Sequence, residues 1–223
     1  MMRVGPGLGL IETMRSRAGS VPLLERHLRR LHASVAALHL DAAPADLESR
    51  ARAAVGSEDQ VVRVEVRRGR AEFSTRAIAG DPFPAIMVSS EPHEPYYHKT
   101  TAREAFGRAF AGARRVGADD AVLVTRRGHV AEGTAWSLFW WDRTGDCLCT
   151  PAADLGILPG VGRARVIELA EVQEVRLPVS ALARRSLFLV NAVRGVVEIG
   201  TFEGKPVPRD PRTVELSRRF WPD

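Results

Sequence analysis

Apolar residues recur through residues 24–38 as Leu24, Leu28, Leu31, Val35 and Leu38, at spacings of 4, 3, 4 and 3. That period places all five on one face of an α-helix, ready to pack on a sheet, with His27, Arg30 and Ser34 along its flank. Upstream, residues 10–15 running into Arg17-Ala18-Gly19-Ser20 predict a strand and a turn. Downstream, a weaker helix is predicted over 46–55. Val62, Val64 and Val66 then alternate with Arg63, Glu65 and Arg67, the pattern of a half-buried strand. Residues 71–78 and 85–90 read as two more strands, the first entered through Arg68-Gly69-Arg70. Glu91-Pro92-His93-Glu94-Pro95 then interrupts the pattern. Beyond it the spacing predicts a helix over 100–116, a strand over 121–125, a tight turn at Arg126-Arg127-Gly128 and a strand over 136–141. A turn over 142–146 follows, then a helix opened by Gly160 and ending near 170. Strands over 172–177, 186–190 and 196–199 and a closing helix over 211–220 complete the chain. The expected organisation is α+β in two lobes, residues 1–90 and 99–223, joined by a linker at 91–98.

Composition narrows the function classes. The chain has 223 residues, 45% of them hydrophobic, enough for a buried core and incompatible with wholesale disorder. No apolar run approaches the ~18 residues that span a bilayer. The opening Met1-Met2-Arg3-Val4-Gly5-Pro6 lacks the apolar stretch of a secretory signal, so a cytoplasmic protein without a membrane partner is expected. The formal charge of +5 raises the question of nucleic acid. The cations are scattered, however, and Phe139-Trp140-Trp141 carries none between its rings, so a solvated arginine surface is the expectation and a nucleic-acid partner is not. Cys147 and Cys149 are too close in sequence for a relaxed disulfide. The six histidines show no ligand spacing, and no metal site is expected.

Three segments offer chemistry. All but two of the 32 basic residues are arginine, the exceptions being Lys99 and Lys205. Arginine supplies charge but cannot form a Schiff base, so a retained lysine is a candidate reactive amine. Lys205 lies in the turn-like Phe202-Glu203-Gly204-Lys205-Pro206. Lys99 lies between the expected linker and the next helix, where a surface lysine and a cleft amine both fit the sequence. Second, in Val130-Ala131-Glu132-Gly133-Thr134 a strand pattern stops at a carboxylate, and the following glycine lets another group approach the backbone. An ordinary turn fits this segment too. Third, Leu155-Gly156-Ile157-Leu158-Pro159-Gly160-Val161-Gly162-Arg163 leads straight into a helix, whose free N–H groups form an anion site or a plain loop-to-helix junction. It is not a nucleotide-binding loop, because no lysine follows the glycines. Arg30 could add a fixed cation to the same anion.

Taken in order, these segments resemble the fold-type IV (class IV) pyridoxal phosphate enzymes, a group that includes branched-chain and D-amino-acid aminotransferases and 4-amino-4-deoxychorismate lyases. The resemblance runs through Glu12-Thr13-Met14-Arg15, His27-Leu28-Arg29-Arg30-Leu31-His32-Ala33-Ser34, Lys99-Thr100-Thr101, Glu132-Gly133-Thr134, the 156–163 segment and Asn191-Ala192-Val193-Arg194-Gly195-Val196. It implies a small N-terminal α/β lobe and a larger C-terminal lobe, usually in a homodimer, with pyridoxal 5'-phosphate as cofactor and a small-molecule substrate. It further implies that Lys99 binds the cofactor covalently and then moves protons. Glu132 would meet the pyridine nitrogen, and Arg30 with the backbone of Val161, Gly162 and Ala192 would hold the phosphate.

Within the group, Arg103, four residues after the lysine, resembles the lyases. The tyrosine that branched-chain aminotransferases carry one position later is Glu104 here. The resemblance therefore implies release of pyruvate from aminodeoxychorismate to give p-aminobenzoate for folate synthesis. The alternatives are an aminotransferase acting on branched-chain or D-amino acids, and a non-catalytic member of the group. Two departures from the pattern touch the expected site. Gly162 replaces a common threonine, and the usual Ser-Asn pair after Glu132-Gly133-Thr134 is replaced, with Trp136 and Ser137 nearby.

Overall fold

The computed structural model describes residues 7–79, 84–142 and 147–222. The opening hexapeptide and residues 143–146 of the turn expected after Trp141 lie outside them. The described chain divides into two compact units, one of residues up to 79 with 98–102, the other of 84–97 with 103–221.

In the first unit, β1 (Leu10–Ser16), α1 (Leu24–Ala37), α2 (Leu47–Ala53), β2 (Gln60–Arg67) and β3 (Arg70–Ala77) follow one another. The strands form an antiparallel sheet in the order β1-β2-β3. Leu10, Met14, Val62, Val64 and Val66 pack with Leu24 and Leu31 of α1 and Leu47 and Ala51 of α2. The heptad-like apolar stripe of α1 is thus the face it buries. Side chains alternate along a strand, so Glu12 shares this buried face with Leu10 and Met14, and all three are at most 2% exposed.

Thr100 and Thr101, expected to begin a helix, lie instead on an extended segment of residues 98–101. The Ile11 N–H donates to the Lys99 carbonyl (2.8 Å) and the Thr101 N–H to the Gly9 carbonyl (2.8 Å), with a bridge between Leu10 and Thr100. Free backbone groups on β1 capture this segment, and the helix starts only at Glu104.

The second unit holds β4 (Ala85–His93), α3 (Glu104–Arg115), β5 (Asp120–Thr125), β6 (Val130–Gly133), β7 (Ser137–Trp141), β8 (Leu148–Pro151), α4 (Val161–Leu169), β9 (Val172–Val175), β10 (Leu187–Asn191), β11 (Gly195–Glu198), β12 (Thr201–Phe202), β13 (Lys205–Pro206) and α5 (Pro211–Arg219). They build two five-stranded sheets, ordered β11-β10-β7-β8-β9 and β13-β12-β4-β5-β6. β4 runs three residues past the expected end at Ser90, because the ladder to β5 shifts register between Val88 and Pro92 and so accommodates the proline. Ile86, Val122 and Val130 of one sheet pack with Leu138, Trp140, Leu187 and Leu189 of the other. On the opposite face of β7, Phe139 stacks with Phe188 at 5.3 Å, and Trp141 donates to Thr213 of α5. Burial on both faces explains the unbroken apolar run of β7. α3, the crossover between parallel β4 and β5, buries Phe106, Ala109 and Ala113 against Ala121 and Leu123. The fold is mixed α+β. Among the described residues, no helix is long and apolar enough to cross a membrane.

Candidate active site

The first unit carries Lys99 and Arg30. Lys99 is half-buried on the extended segment beside β1. Its neighbour His98 is hydrogen-bonded through Nδ1 to Ser34 Oγ (3.0 Å), so the polar flank of α1 reaches the lysine-bearing segment. Arg30, from the same flank, donates through Nε to Glu12 Oε1 (2.8 Å) and through Nη2 to Oε2. His27 Nδ1 lies 2.6 Å from Glu12 Oε2. Burial raises the Glu12 carboxyl, but the charges and hydrogen bonds of Arg30 and His27 outweigh it and hold the group at about 2. Burial depresses His27 in spite of Glu12, and the Arg30 and Lys99 charges add to the depression. A neutral His27 therefore donates Nδ1–H to the carboxylate. Glu12 fixes the orientation of Arg30, a role the sequence reading did not assign. The signal was available, since a carboxylate on the inner face of an amphipathic strand demands partners.

Both shifts make this unit acid-labile. A depressed carboxyl contributes stability that is complete above its unfolded value of 4.5 and is lost as pH falls toward 2. A depressed histidine costs stability as pH falls below its unfolded value of 6.5, where the unfolded chain binds the proton first. Glu12→Gln leaves Arg30 and His27 facing an uncharged amide, and we expect a loss of about 3–5 kcal/mol at pH 7. The gap between variant and wild type should narrow toward pH 2–3, as urea unfolding at both pH values will show.

The second unit carries Glu132, Val161, Gly162 and Ala192, and the structure brings these together. Glu132, 6% exposed, ends β6. Its Oε1 accepts from the Leu158 N–H (3.1 Å) and lies 3.0 Å from His93 Nε2, while Oε2 has no hydrogen-bond partner among the described residues. Leu158 leads into Gly160, the cap residue of α4, where no side chain caps the helix. The Ala164 N–H already bonds the Gly160 carbonyl, leaving the N–H groups of Val161, Gly162 and Arg163 as the open helix start. Asn191 Oδ1 accepts from the Val193 and Arg194 N–H groups (3.0 and 2.9 Å), which shapes the turn after β10 and leaves the Ala192 N–H without a partner among the described residues.

The glycines explain the close fit. A β-carbon on Gly162 would lie 2.9 Å from the Asn191 carbonyl carbon and 3.0 Å from its Cα. The threonine common at this position therefore has no room here, and the helix start lies directly against the 191–192 turn. A β-carbon on Gly160 would lie 2.8 Å from Ser137 Oγ. At Gly133 the group that approaches the backbone is the chain's own Trp136, whose carbonyl accepts the Gly133 N–H at 2.8 Å. We expect Gly162→Ala to cost about 1–3 kcal/mol through overpacking, read by urea unfolding. Arg103 stacks on Phe106 (4.7 Å to the ring centroid), and its guanidinium donates to the Thr134 carbonyl and to Tyr96 Oη.

An acceptor oxygen beside a loop that ends in convergent free N–H groups suits a flat heterocycle carrying both a protonated ring nitrogen and a phosphate. The family reading agrees with this donor set. The amino-transferase class IV family model matches residues 9–201, and the chain belongs to that family. One stretch of 61 residues is 43% identical to the aminodeoxychorismate lyase of Bacillus subtilis (strain 168). It covers 26% of this chain, and it spans only 20% of that relative's length. The branched-chain aminotransferase of Thermoproteus uzoniensis, solved with norvaline, superimposes with a TM-score of 0.86 at 22% identity, over 96% of this chain and 84% of its own. The pyridoxal phosphate-bound form of a hypothetical aminotransferase from Mycobacterium tuberculosis gives 0.80 at 22% identity, over 94% and 86%. At these identities the structures establish the shared fold.

Proposed function

We propose that this chain is a pyridoxal phosphate-dependent lyase of the aminodeoxychorismate type, releasing pyruvate from 4-amino-4-deoxychorismate to form p-aminobenzoate for folate synthesis. The observation that carries the cofactor reading is the Glu132 carboxylate, with two donors on Oε1 and Oε2 left to accept. The residues present fit the cofactor. Oε2 would accept from the pyridine N–H and the N–H groups of Val161, Gly162 and Ala192 would bind the phosphate, while the family resemblance would have Arg30, oriented by Glu12, add a cation to it. When bound, the cofactor supplies an electron sink for a carbanion formed on the substrate. Lys99 contributes the amine that ties the cofactor to the chain and, once released, takes a proton from the substrate and returns one.

The lyase branch is supported by the stretch similar to the Bacillus lyase and by Arg103, which stands where the lyases carry an arginine. A second reading, an aminotransferase on the same scaffold, is favoured by the fold shared with the Thermoproteus enzyme. Two incubations separate them. Aminodeoxychorismate alone should yield pyruvate, and an amino acid with 2-oxoglutarate should yield no glutamate. Glutamate without pyruvate would overturn the lyase assignment.

A further inference from the structure

His93 takes no part in the mechanism above, and its surroundings are unusual. It closes β4, where it pairs with Thr125 of β5, and it is 3% exposed. Its Nε2 lies 3.0 Å from Glu132 Oε1. Its other ring nitrogen, Nδ1, is buried without a hydrogen-bond partner among the described residues. Packing alone would be served better by an apolar side chain of similar size, which leaves no buried nitrogen unsatisfied. Among the described residues, the hydrogen-bond partner of this imidazole is the carboxylate.

The contact has a defined direction. A carboxylate oxygen only accepts, so Nε2 carries the hydrogen that points at Oε1. The Leu158 N–H reaches the same oxygen from the backbone of the loop before α4. Two donors on Oε1, one from a sheet end and one from a loop, fix the plane of the carboxylate and with it the direction of Oε2. One donor alone would leave the group free to rotate about its last bond.

We propose that His93 is a positioning residue for Glu132, holding the carboxylate so that Oε2 faces the pyridine nitrogen of pyridoxal phosphate. The proposal rests on the cofactor reading above. Outer-shell partners of this kind set ligand orientation and typically alter affinity by roughly ten- to a hundredfold when removed, as with the carboxylates behind metal-ligating histidines.

The test loads the protein with pyridoxal phosphate carrying 15N in its ring and records the nitrogen resonance together with the cofactor dissociation constant. In the wild type the resonance should be that of a protonated pyridine. His93→Leu and His93→Phe should fold and still bind, with the resonance moved toward neutral pyridine and affinity weaker by about tenfold. His93→Gln, whose amide restores a donor, should recover most of both. Glu132→Gln serves as the control. If it leaves the wild-type resonance unchanged, or if the wild-type protein binds no cofactor, the cofactor reading fails and the proposal falls with it. If Glu132→Gln moves the resonance while a folded His93→Leu or His93→Phe does not, the positioning role alone is overturned. If neither apolar variant folds, the imidazole serves folding, and the positioning role is likewise overturned.

Discussion

Lys99→Ala is expected to lower turnover by at least about 10⁴-fold and to leave the fold intact. The size follows from what is lost. General acid–base catalysis by a positioned group contributes about 10²–10⁴-fold, and the covalent tie to the cofactor disappears with the same amine. The retained fold follows from how the segment is held. The Lys99 carbonyl, the Thr101 N–H and the buried Thr100 fix it to the edge of β1, and these contacts come from backbone or from Thr100. Lys99→Arg should be as inactive as the alanine variant, because the guanidinium keeps the charge without the amine chemistry. Lys205, exposed on β13, is the only other lysine and is no substitute. Turnover assays with thermal melts of the three proteins check both halves of the expectation.

Glu132→Gln is expected to retain the cofactor and to lose roughly 10²–10³-fold in rate, the scale of a lost electrostatic stabiliser. The His93 and Leu158 donors decide which way the amide turns. Its carbonyl oxygen takes the Oε1 place, where both can still donate, and its NH2 takes the place of Oε2. A donor then faces the ring nitrogen, which can be met only in its unprotonated form, and the electron sink weakens. A cofactor absorption band of wild-type intensity with a collapsed rate is the expected signature. A near-normal rate would show that another group meets the nitrogen.

How far such a site can be read from sequence depends on how local its signals are. The stripe of α1, the apolar run of β7 and the glycines before α4 each act within a few residues, and each led to the observed element. The family motifs marked Lys99, Glu132 and the start of α4 for the same reason. Partners supplied from afar were not legible. The helical pattern begins at Thr100, but β1, some ninety residues away, bridges to Thr100 and holds the segment extended, so the helix starts later. The β12–β13 hairpin has only two residues per strand, joined by Glu203 and Gly204 at positive φ, too short for any alternation to register. His93 fell in a segment read as linker because nothing near Pro92 reveals that the strand continues or that its end meets Glu132. Glu12 is the intermediate case, a polar residue on a buried face that announces a partner without naming it.

The central claim is that Lys99 is the amine that binds pyridoxal phosphate in this chain. Purified protein mixed with pyridoxal phosphate, reduced with borohydride, digested and mapped by mass spectrometry tests it most directly. The account predicts a yellow protein bleached by the reductant, with a single phosphopyridoxyl group on the peptide carrying Lys99. A label on Lys205, or a protein that stays colourless and unlabelled with the cofactor in excess, would contradict it.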